Sequence, residues 1–79
     1  MGSESRKTAP ELLDMYFLNM RSALLETAAA LDRIQRGPGA PEALNDPRLR
    51  KLRAACDILK EPDPGRAERF LLLFSEPEQ

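Results

Sequence analysis

From Glu11 to Arg36 the chain contains neither glycine nor proline. An uninterrupted run of that length commits about a third of the protein to a single helix. Punctuation on both sides supports it. Thr8 and Glu11 have the spacing of a capping box, and Pro10 falls in the first turn, where a missing N–H costs nothing. Gly37-Pro38-Gly39 ends the run. The expected helix covers residues 9–36, roughly 40 Å at ~1.5 Å per residue. No segment alternates with period two for long enough to make a strand, so the expected fold class is all-α.

The rest of the chain repeats the start signal. Asp46-Pro47 reads as an N-cap followed by the first helical residue, and Asp63-Pro64 reads the same way. A second helix is expected over 47–60, with Leu49, Leu52, Ala55, Cys56 and Leu59 as its apolar face. A third is expected over 64–74, with Ala67, Phe70, Leu71 and Phe74 inward. Between the first two helices, Pro41 to Leu44 has room for one helical turn. Residues 1–7 read as a polar, disordered leader, 8–75 as one helical domain, and 76–79 as an acidic tail. The expected architecture is a long N-terminal helix with two shorter helices packed back on it. This is a small three-helix bundle, and a helical homodimer is one form it could take.

Two apolar seams on the first helix carry the functional reading. Leu13, Phe17, Met20, Leu24, Thr27, Leu31 and Ile34 alternate four and three apart, as a packing seam does. Leu12, Tyr16, Ala23 and Ala30 widen it. This is the natural seat for the shorter helices. Met15, Leu18, Ser22, Leu25 and Ala29 form a second seam on roughly the opposite side, with Arg21 at its edge. Two short helices have little surface with which to bury both. The second seam is therefore expected to meet another chain, and dimerisation through antiparallel copies of the first helix is the simplest version. Ordinary packing within the chain, with Leu72 and Leu73 reaching part of that face, is the alternative.

A chain of 79 residues buries a modest core and needs some further source of stability. Cys56 is the only cysteine and there is no histidine, so disulfides and zinc are poor candidates. Tight helix packing or association with another chain remains. The same absences remove the usual base of a serine or cysteine nucleophile. Asp14, Glu26 and Asp32 read as a solvated face, and Cys56 as a buried small hydrophobe. No phosphate loop or calcium pattern is present. The reading is therefore not an enzyme, with no cofactor and no metal. A formal net charge of −1 argues against a general nucleic-acid binder. One basic cluster, Arg48, Arg50, Lys51 and Arg53, offers a patch for an anionic partner, and a nucleic-acid accessory factor is the alternative function. No stretch approaches the ~20 apolar residues that span a bilayer. The lone thiol suits a reducing cytoplasm.

Tyr16-Phe17-Leu18, Arg21, Leu24-Leu25, Ala28-Ala29 and Leu31-Asp32-Arg33, followed by Leu71-Leu72-Leu73-Phe74-Ser75-Glu76-Pro77, resemble a family of short bacterial helical proteins of uncharacterised role. The resemblance covers most of the chain beyond residue 10. It implies a bacterial, helical, soluble protein and implies no activity. The expected function is a protein-interaction module or small accessory subunit that associates with itself, or with another protein, through the second seam.

Overall fold

A computed structural model describes residues 6–76. The described residues form four helices and no strand: α1 (Ala9–Arg36), α2 (Ala40–Leu44), α3 (Pro47–Leu59) and α4 (Arg66–Ser75). The chain divides into two compact units, Met1–Arg33 and Ile34–Gln79. The expected tail beyond Glu76 and most of the expected leader fall outside the described residues. Arg6 to Thr8 carry no regular structure.

The first unit is the body of α1. Its start is a reciprocal box: Thr8 N–H donates to Glu11 Oε1 at 2.8 Å, and Glu11 N–H donates to Thr8 Oγ1 at 3.3 Å. Two of the N–H groups that a helix start leaves orphaned are thereby satisfied. No residue of α1 is buried. Thr27 donates its hydroxyl back to the Ala23 carbonyl at 3.0 Å. That bond satisfies its one donor inside the helix, so its methyl can serve as part of an apolar seam.

The second unit is built around α3. Gly39 enters α2 with φ +82, a conformation glycine adopts without steric cost. Asn45 closes α2 by donating its side-chain amide to the Pro41 carbonyl at 3.1 Å. Asp46 then caps α3, with Pro47 at the first position, as the sequence implies. Lys51, early in α3, donates its ammonium to the carbonyl of Glu76 just past α4, so α3 and α4 run antiparallel. Leu49 and Ala55 are buried, at 5% and 4% exposed, with Ile58 and Leu73 half-buried. Phe70 and Phe74 pack tilted against each other, ring centroids 4.7 Å apart.

Several details of this unit differ from the sequence reading. Leu52, Leu59 and Leu71, expected on the inner faces, are exposed, whereas Ile58 and Leu73 are half-buried. α4 begins at Arg66 with Gly65 as its N-cap, rather than at Pro64 capped by Asp63. The arginines of α4 explain the shift. Arg66 donates to the Glu61 carbonyl, and Arg69 donates to the Pro64 and Asp63 carbonyls at 3.1 and 3.2 Å. These bonds hold 61–64 as a bent connection, and Gly65 at φ +95 makes the turn into the helix. Cys56 is exposed, not buried. In the second half of α3 the covered positions are Ala55 and Ile58, and at ~100° per residue Cys56 falls well to one side of both.

Candidate interaction surface

Because α1 is an unbroken helix of 28 residues, the spacing of its apolar positions becomes a real surface. At ~100° per residue, Leu18, Ser22, Leu25 and Ala29 fall within a narrow strip, with Met15 on one margin and Arg21 on the other. Leu18 and Leu25 are 69% and 58% exposed, Met15 is exposed as well, and Ala29 is half-buried. Arg21 and Ser22 are exposed. The broad seam on the other side is open too: Leu13, Phe17 and Leu24 each show more than half of their surface. Large apolar side chains presented as a continuous strip mark an interaction surface far better than scattered ones do. Covering Leu18 and Leu25 is worth roughly 1.5–3 kcal/mol each.

The charges beside the second seam are uncommitted. Neither Arg21 nor Glu26 has an ion pair among the described residues, and neither has an opposite charge three or four residues away on its own helix. Arg36, further along on the line of the seam, is exposed and has no ion pair among the described residues, with Asp32 standing four residues before it on the same helix as its one local counter-charge.

The basic cluster of α3 is in a different condition, because three of its four members serve the fold. Arg48 grips Asp46, Arg50 donates to the Asn45 carbonyl at 2.8 Å, and Lys51 donates to Glu76. Arg53 is exposed. The patch is therefore largely turned to tying down the start of α3 and the end of α4. Sequence position could not reveal this, because two of these acceptors are backbone carbonyls.

The second unit also carries two shallow, open depressions. Ile34, Ala43, Leu49 and Leu52 line one, with Asp46 and Arg48 at its edge. Leu59, Ala67, Phe70 and Leu71 line the other, with Arg66 beside them. Both are mostly apolar, and no cluster of catalytic groups faces either. Among the described residues no group of three or more potential ligands could hold a metal ion, and no helix is long and apolar enough to cross a membrane. Comparison with family models, with curated proteins and with solved structures finds no match for the chain.

Proposed function

We propose that this protein is a non-enzymatic interaction module, a small accessory subunit that associates with a second copy of itself through the Met15–Leu18–Ser22–Leu25–Ala29 seam of α1. One observation carries the reading: that seam lies exposed along a single capped helix that has no buried residue. The three-helix bundle is part of the proposal. The broader seam, centred on Phe17 and Leu24, is the face suited to shorter helices of the same chain, which leaves the narrower seam for a partner. Arg21 would sit at the interface rim, where arginine contributes both apolar stem and charge. A bacterial, cytoplasmic setting belongs to the same proposal.

The test replaces Leu18 and Leu25 together with glutamate. Two carboxylates cannot be buried in a seam without partners. The variant is expected to lose self-association at every accessible concentration while keeping its helix content by circular dichroism. A variant that keeps both its helix content and its association would contradict the assignment of this seam.

A further inference from the structure

The proposed self-interface has a polarity that the charges of α1 disclose. We infer that two copies of α1 pack antiparallel, with Glu11 of each copy set against Arg36 of the other. This inference rests on the self-association reading above and adds to it the orientation and register of the two chains.

The geometry comes from the seam itself. At ~100° per residue, Glu11 and Arg36 lie on the same strip as Leu18 and Leu25, one near each end of the helix. Glu11 uses Oε1 for the cap at Thr8, and Oε2 is left for a second donor. Arg36 has five N–H donors and no ion pair among the described residues. In a parallel pair each would meet its own copy: Glu11 against Glu11, Asp32 against Asp32 and Arg36 against Arg36. Like charges facing across a seam oppose association. The parallel arrangement does offer one attraction, Arg21 to the Glu26 of a second copy, but it must carry those three repulsions.

Turned antiparallel, the ends become complementary. With the two-fold axis between Ala23 and Leu24, Glu11 faces the second copy's Arg36 at both ends of the contact. Leu18 then faces the second copy's Ala29, a large residue against a small one, and Ser22 faces its Leu25. Asp32 lies on the Arg21 margin of the strip at the same angle as Asp14, so the Asp14 of each copy comes level with the Asp32 of the other. This is a like-charge contact at the solvated edge, which the two central Glu11–Arg36 pairs must outweigh. The two helices overlap along nearly their whole length in this register. A shift of one heptad toward the N-terminus would set Ala29 against Glu11 and carry Arg36 past the start of the neighbouring helix. Opposed helix dipoles favour the antiparallel arrangement as well.

The experiment measures a distance in the intact chain. Lys7, just before α1 and exposed, is replaced by cysteine in a Cys56→Ser background and carries a nitroxide label. Antiparallel copies in this register place the two helix starts about 40 Å apart, at ~1.5 Å per residue. Parallel copies place them side by side, near the ~10 Å spacing of packed helices. Pulsed dipolar spectroscopy separates the two values. A dimeric mass with the long distance supports the inference; a dimeric mass with the short distance overturns it and leaves the self-association reading standing. A monomeric mass overturns both. As a second readout, Arg36→Glu is expected to weaken association about three- to ten-fold at low salt, with the effect shrinking as salt rises. An unchanged association constant would exclude the Glu11–Arg36 pairing.

Discussion

Arg48 holds the carboxylate that caps its own helix. Asp46 Oδ1 accepts from the Arg48 backbone N–H at 2.8 Å and from its Nε at 3.0 Å, while Oδ2 accepts from Nη2 at 3.1 Å. One residue thus supplies both the orphan donor that the cap must satisfy and the charge that keeps the cap ionised. The guanidinium, then the backbone N–H, hold the Asp46 carboxyl below the usual aspartate range.

A pH dependence follows with a definite sign. A carboxyl whose pKa is depressed in the folded chain contributes fully above its ordinary pKa, near ~3.9, and loses that contribution as pH falls from there toward the lower folded value. The helical signal of the chain should therefore decline through this acid range. Asp46→Asn keeps an acceptor for the Arg48 N–H but cannot titrate. Its acid decline, followed by circular dichroism, should be smaller than that of the parent chain. Superimposable acid titrations would show that the cap charge contributes nothing.

Gly65 is the hinge on which α4 turns, and alanine there should be costly. At φ +95 an L side chain is strained by about 1–2 kcal/mol. An added Cβ would also stand 3.1 Å from Arg69 Nη1, the nitrogen that holds the Pro64 carbonyl. Gly65→Ala is expected to lower stability by about that strain, read from the midpoint of urea unfolding. A midpoint equal to the parent's would mean that the turn into α4 tolerates another conformation.

Arg69 and Glu61 give a related expectation. Nε lies 2.8 Å from Glu61 Oε1, but it makes no hydrogen bond, so this contact is one of charge rather than of aligned donation. The carbonyl bonds of Arg69 should matter more. Arg69→Lys keeps the charge and loses the planar fork that reaches Asp63 and Pro64 together. Amide hydrogen exchange at the start of α4 should speed up in Arg69→Lys and stay near the parent rate in Glu61→Gln. The opposite ranking would make the ion pair the principal clamp.

At the start of α1, Thr8→Ala removes one half of the capping box and should cost roughly 1 kcal/mol of helix stability. Glu11→Gln keeps the reciprocal bond and should cost much less. Thermal melts followed by circular dichroism compare the two, and equal losses would show that the charge of Glu11, not the box, holds the start.

How much of this was legible in the sequence differs from element to element. The bounds of α1 and the cap at Asp46 follow from local chemistry, because a capping box, an Asp-Pro pair and a Gly-Pro-Gly stop act within a few residues. The short α2 was visible as a possible turn for the same reason. The start of α4 was not, because arginines inside the helix reach back to carbonyls of the connection and move the cap from Asp63 to Gly65. The glycine between Pro64 and Arg66 was the available signal. The exposure of Cys56 was hidden for a different reason: an apolar stripe wider than its partner helix does not say which of its margins is covered. The seam of α1 is readable as a pattern, and its continuity depends only on α1 remaining one helix. The engagement of Arg48, Arg50 and Lys51 with their own chain required the fold, because it depends on where the Asn45 and Glu76 carbonyls lie.

The central claim is that the second seam of α1 holds two copies together, and absolute mass in solution tests it most directly. Light scattering across a dilution series should return twice the mass of the 79-residue chain, falling toward one chain only at the lowest concentrations. A well-folded monomer at every concentration would contradict it.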